Sequence, residues 1–240
     1  MKKIIIALCA ILALTGSAFA ETTAATEAPA ETAVEQTAEL DKAEEMANEL
    51  RNALKDTMDE GYAEEAADYS DVIQVVYGKV KLWDSTDYEA EEGTDALPPV
   101  KVTLETKTPA VLVNFDSPEG YFGMVARDGI APAFISITPA HMGEHYNLND
   151  YTVDMLMNYI KGVVDGSFDE DNYTSEILQS EGGNTYVAIS DDTTRSISTI
   201  YDDFVMEIYQ FNSDKEGKII PLTDADKAFA LEIFQGIWTE

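Results

Sequence analysis

The chain has 240 residues, with 46 acidic side chains against 15 basic ones and a formal net charge of -31. An apolar content of 45% suffices for a folded core and excludes a disordered chain or a collagen. Binding to phosphate backbones needs a basic surface that displaces counterions, so the charge also excludes nucleic acid as a partner.

Lys2 and Lys3 precede an apolar stretch, Ile4 to Leu14, and Ala18-Phe19-Ala20 follows as a small-x-small site. This is the pattern of a secretory signal peptide over residues 1–20, cleaved between Ala20 and Glu21. A stretch of that length, rising about 1.5 Å per residue, falls short of a hydrocarbon core roughly 30 Å thick. Cys9 lies inside it behind Leu8, where a lipid-attachment signal carries small residues. Cleavage therefore leaves a chain without thiols, hence without disulfides, a cysteine nucleophile or a thiolate metal site. Export also makes the chain more acidic, since two lysines leave and no acid does. The expected product is a soluble protein of the periplasm or the cell exterior, with no integral membrane anchor.

Residues 21–38 are mostly Glu, Thr and Ala, a composition with too little apolar surface to offset chain ordering, and read as a disordered acidic linker. Over residues 39–61, Leu40, Ala43, Ala47, Leu50, Leu54 and Met58 recur at helical spacing, and Gly61 marks the stop. This predicts an amphipathic helix, either laid on a domain or projecting as an oligomerising arm. Residues 21–70 carry 15 acids and 3 bases, so the acidity is spread along the chain rather than gathered in a tail.

The domain expected over residues 71–240 begins with a β pattern from Val72 to Trp83, then an acidic turn-forming stretch to Pro99. Strands are predicted at Val100–Glu105, Ala110–Phe115, Tyr121–Ala126 and Ala133–Thr138, with Pro118-Glu119-Gly120 and Arg127-Asp128-Gly129 as turns. A helix capped by Asn149 or Asp150 buries Val153, Leu156, Met157, Ile160, Val163 and Val164 before Gly166. A second run of strands follows at Thr174–Ser180, Tyr186–Ser190, Arg195–Tyr201 and Phe204–Phe211, with alternation plain in Ile197, Thr199 and Tyr201. A terminal helix starts at the cap Thr223, with Asp226 at its third position, and runs through Phe229, Ile233, Phe234 and Ile237 to Trp238. The expected fold class is α+β, an antiparallel sheet covered by helices in a layered sandwich, after an N-terminal helix and a linker.

In element order the domain resembles the sandwich fold of the extrinsic PsbP subunit of photosystem II and its secreted bacterial relatives. The resembling pieces are Asn114 to Gly120, a strand leading into a Pro-x-Gly turn, then the central helix, the closing hairpins and the final helix ending in Ile237-Trp238. Tyr121-Phe122 stand where that family places a tryptophan. The resemblance implies a scaffold or binding module and carries no active-site residue over.

His141-Met142-Gly143-Glu144-His145 matches the H-x-x-E-H string of inverted zinc peptidases. Such a site needs both imidazoles one helical turn apart, but Pro139, Gly143 and the Asn147 to Asp150 run make this a loop with two solvent-facing histidines. Asp165, Ser167, Asp169 and Glu176 fall at positions one, three, five and twelve of a calcium loop whose sixth residue, Glu170, replaces the required glycine. An acidic solvated loop is the simpler account, with at most weak divalent cation binding. No G-x-S-x-G elbow and no Gly-rich phosphate cradle occur. A stacking surface built from Trp83, Trp238 and the tyrosines is the remaining candidate for sugars.

The reading that follows is an exported, soluble, non-catalytic module that binds a protein partner or small ligand, with no catalytic, metal or cofactor-binding residue and no cofactor assigned. The alternatives are a zinc-dependent hydrolase using His141, Glu144 and His145, and a cell-envelope tether using residues 21–60.

Overall fold

The computed structural model describes residues 33–57, 69–87, 99–115, 120–139, 173–179, 185–201, 204–214 and 217–239. The first element is helix α1 (Ala33–Thr57). Strands β1 (Ile73–Asp84), β2 (Lys101–Asn114), β3 (Tyr121–Arg127) and β4 (Ile130–Pro139) follow, and a short 3-10 turn at Ser85–Asp87 closes β1. Strands β5 (Thr174–Gln179), β6 (Thr185–Ser190), β7 (Thr194–Tyr201), β8 (Phe204–Ser213) and β9 (Ile219–Ile220) precede helix α2 (Asp224–Gln235) and strand β10 (Ile237–Thr239).

All ten strands belong to one sheet, every pairing is antiparallel, and the main order is β1-β2-β3-β4-β8-β7-β6-β5. Neighbouring strands lie about 4.8 Å apart, so β1 and β8, at the first and fifth places, would stand about 19 Å from each other in a flat sheet. The ring of Trp83 on β1 nevertheless meets that of Phe204 on β8 edge-on, with centroids 5.7 Å apart. The sheet is therefore strongly curled. Its concave inner face closes around Trp83, Leu104, Ile135, Ile208, Phe229 and Ile233, which share one buried cluster.

A second cluster lies on the outer face, because alternation along β2 sends Leu104 and Leu112 inward and Val111 and Val113 outward. There α1 buries Ala43, Ala47, Leu50 and Leu54 against Ile73, Val111, Val113 and Met124. Each buried leucine gains about 2 kcal/mol, which docks the helix on the sheet. Arg51 adds a tie by donating from Nε and Nη2 to the carbonyl of Ile73, at 3.2 and 2.7 Å. The helix starts at Ala33, inside the stretch read as linker. Ala, Glu and Gln there are strong helix formers, and the docked stripe downstream anchors them.

Two further boundaries differ from expectation for local reasons. The pair of strands predicted on either side of Lys107-Thr108-Pro109 is one strand, β2. Its register against β1 slips between Val76 and Gly78, where Gly78 takes φ +78, and this bulge accommodates a proline that lacks an N–H. At the other end, α2 stops at Gln235 instead of reaching Trp238. Glu105 donates its N–H to the carbonyl of Gly236 at 2.8 Å, and a Cβ at position 236 would stand 2.3 Å from the Glu105 carbonyl oxygen. The chain beyond is captured by β2, with Ile237 opposite Leu104 and Trp238 opposite Thr103.

The expected α+β class, an antiparallel sheet covered by helices, is corrected by this architecture. Ten strands against two helices among the described residues make the fold β-rich. Curling lets the sheet close much of its inner core strand against strand, and each helix packs on part of one face. The helix predicted between Asn149 and Gly166 lies outside the described residues.

Candidate functional site

The inner face holds two polar groupings beside α2, and they differ in how completely they are satisfied. The first seats the helix. Thr223 caps it, accepting from the Asp226 N–H, while the Asp226 carboxylate accepts from the Thr223 N–H and hydroxyl, each at 2.7 Å. The other Asp226 oxygen accepts from the Ala131 N–H at 2.7 Å and so ties the helix start to β4. Arg127 on β3 grips Glu232 through both terminal nitrogens, at 3.2 and 3.0 Å, and lies over the Phe229 ring at 4.6 Å. This fork-to-fork pairing in a largely buried setting is strong and geometrically specific.

The second grouping is open. Strand register places three rows side by side on the inner face: Leu178 and Tyr186; Glu176, Ala188 and Ile197; Thr174, Ser190, Arg195 and Gln210. Arg195 is half-buried, and among the described residues its side chain makes no hydrogen bond and has no carboxylate within 4.0 Å. Its Nε is shielded from solvent and without a partner. Burial pushes the guanidinium below its ordinary value, and the nearby Glu176 carboxylate and Tyr186 oppose that shift. Directly across on β8, Gln210 is 0% exposed. Its amide nitrogen donates to the carbonyls of Ala131 and Asp226, at 3.0 and 2.9 Å, which fixes the amide orientation and leaves Oε1 without a partner. Tyr186 packs against Phe234 with centroids 4.9 Å apart, and its hydroxyl accepts from Gln235 at 3.3 Å, keeping its own proton to donate.

Buried polar atoms without partners are uncommon in folded proteins and mark places where a ligand or ordered water completes the bonding. The opposite face of the same strands offers a contrast. There Ser196 donates to Glu207 at 2.6 Å and meets Ser198 at 3.2 Å, so its hydroxyls are satisfied within the sheet.

The residues singled out by sequence motif fare differently. His141, Glu144 and His145 lie outside the described residues, as do Asp165, Ser167 and Asp169. Of the calcium-loop positions only Glu176 is described, on β5 facing Arg195 rather than other acids. Among the described residues no group of three or more His, Cys, Asp or Glu side chains could hold a metal ion. Trp83 is buried in the inner core whereas Trp238 is 58% exposed on β10, so the two form no common stacking surface. The rings that do line up, Phe115 just after β2, Phe122 on β3, Phe134 on β4 and Phe211 on β8, stack on one another in a row, so that the two inner rings have both faces covered.

No protein-family model, curated protein or solved structure matches the chain. The open grouping therefore stands on its geometry. Of its members, sequence reasoning raised only Glu176, and for another purpose. A signal for Arg195 was present, since extending the Ile197, Thr199 alternation back by two places puts it on the same buried face. It is also the only Lys or Arg between Thr174 and Ser213.

Proposed function

We propose that the chain is an exported bacterial protein acting as a non-catalytic binding module, which holds a small polar ligand on the inner face of the curled sheet at Arg195. Export is supported by the charged, apolar and small-x-small segments of residues 1–20. The observation that carries the binding reading is the half-buried Arg195 side chain, which has no hydrogen bond and no carboxylate partner among the described residues, set on the same face as the buried, partnerless Oε1 of Gln210. A half-buried guanidinium left without a carboxylate is destabilising unless something else neutralises it. Arg127, a few strands away, has an equally buried, partnerless Nε, but both its terminal nitrogens are paired with Glu232, and it is this pairing that Arg195 lacks. The groups around Arg195 suit binding rather than bond cleavage: a guanidinium that stays protonated, a phenol and two acceptors.

A thermal-shift panel of small polar molecules, run on wild type and Arg195→Leu, tests this reading. At a concentration one hundred times Kd, a ligand selective for the folded state adds about 2.7 kcal/mol of stability. At least one compound should raise the wild-type melting temperature and leave Arg195→Leu unchanged. A panel without any shift, together with an Arg195→Leu protein destabilised as much as Arg127→Ala, would make Arg195 a structural residue and end the proposal.

A further inference from the structure

Resting on that reading, we infer that the ligand at Arg195 is a small zwitterion carrying one carboxylate and one ammonium group, of the class of a free α-amino acid, held between Arg195 and Glu176. The argument starts from charge. The chain carries a net charge of -31, so a free anion approaches this protein against a repulsive field, whereas a molecule without net charge does not. A half-buried guanidinium without a partner in such a protein still calls for an oxyanion, and a carboxylate matches its planar donor fork.

The surroundings supply the second charge. Glu176 on β5 is close enough to act electrostatically on Arg195 yet stands beyond 4.0 Å from it, so the two do not close into an ion pair. Glu176 is exposed and makes no salt bridge among the described residues, which leaves its carboxylate free to accept from an ammonium. On β6 the two are separated by Ala188, opposite Glu176, and Ser190, opposite Arg195, both small side chains that occupy little of the space above the sheet. The Tyr186 hydroxyl, already accepting from Gln235, has its proton available for a carboxylate oxygen beside Arg195. Donors at Arg195 and Tyr186 and an acceptor at Glu176 thus form a polarised pair of ends, and Leu178 and Ile197 border them with apolar surface.

Isothermal titration of the chain from Glu21 to Glu240 with L-alanine, acetate and methylammonium separates the two charges. Alanine should bind, and each half-molecule should bind at least about tenfold more weakly. Arg195→Gln should abolish alanine binding. Glu176→Gln should weaken alanine by about tenfold while leaving acetate within about twofold, because only the ammonium contact is lost. Acetate binding as tightly as alanine, or Glu176→Gln binding alanine like wild type, would overturn the zwitterion inference. If alanine fails while another compound of the thermal-shift panel stabilises wild type and not Arg195→Gln, the zwitterion inference falls and the binding module stands. If no compound distinguishes wild type from Arg195→Gln, both fall.

Discussion

Arg127 and Arg195 occupy the same concave face of the same sheet and each buries an Nε without a partner, but the fold pairs the terminal nitrogens of only one of them. Arg127 reaches Glu232 with both terminal nitrogens and rests on Phe229, while Asp226 nearby gathers three donors from Thr223 and Ala131. Arg195 has acidic and phenolic neighbours within electrostatic range but no described group in hydrogen-bonding contact. The difference teaches where stability and binding are separated. A polar network whose carboxylates are all engaged fixes how α2 sits on β3 and β4. An open one leaves unmet bonding capacity on β7 and β8, at a cost in stability.

The comparison breaks most severely at Asp226. Asp226→Ala removes the capping box and leaves the Ala131 N–H buried without a partner. A cost of about 4 kcal/mol follows from one lost cap and one lost charge-assisted bond together with the orphaned donor. Urea unfolding should show it as a lower midpoint with an unchanged slope. Next comes Arg127→Ala, which strands Glu232 in a largely buried position and should cost about 3 kcal/mol. A double-mutant cycle with Glu232→Ala should recover much of that loss, whereas additive losses would show that the two residues act independently.

At Arg195 the sign should reverse. Arg195→Leu replaces an unpaired, half-buried cation with an apolar side chain beside Ile197, so we expect a gain of about 1 kcal/mol in the absence of ligand. The same urea experiment reads it. A loss comparable with that of Arg127→Ala would show that the two arginines do the same work and would remove the contrast. Run together, the three variants order the inner face by how much each polar group contributes to stability.

How much of this was legible in the sequence follows from the range of the interactions involved. The Thr223–Asp226 capping box spans three residues and was readable from spacing alone, as were the apolar stripe of α1 and the alternation of β7, while β1, β3, β4, β5, β6 and β8 were readable from β-branched and aromatic content between turn residues. The merging of two predicted strands into β2 was not, because Pro109 ordinarily interrupts a strand and the bulge that accommodates it depends on Gly78 in another strand. Trp238 was read as helix for a similar reason. Its apolar spacing fits α2, but the competing partner is the Glu105 backbone, far away in sequence. The β-rich character was hidden by curling, which no periodicity reports and which the Trp83–Phe204 contact reveals. The candidate site was least legible of all. Its members come from β5, β6, β7 and β8 and become a group only through register.

Asp84 supplies the finest test, since it lies between the two extremes. It is 7% exposed at the end of β1, and it is satisfied locally by the Thr86 hydroxyl at 2.6 Å and the Thr86 N–H at 3.0 Å, with Lys101 at 3.4 Å. The Thr86 hydroxyl bond, more than any other contact, holds the Asp84 carboxyl below its ordinary value of 3.8, against an opposing effect of burial. A carboxylate with a depressed folded value adds stability above the unfolded value and loses it as pH falls through the folded one. Stability measured by urea unfolding should therefore decline below about pH 4. Asp84→Asn should flatten part of that acid limb, and Thr86→Val, which removes the largest cause, should flatten most of the same part. Arg195→Leu should leave this acid limb in place, because the guanidinium stays protonated throughout and Asp84 is not among its electrostatic neighbours. An acid limb unchanged in Asp84→Asn would assign the decline to other carboxylates of this acidic chain and place Asp84 with the groups whose bonds do not couple to pH.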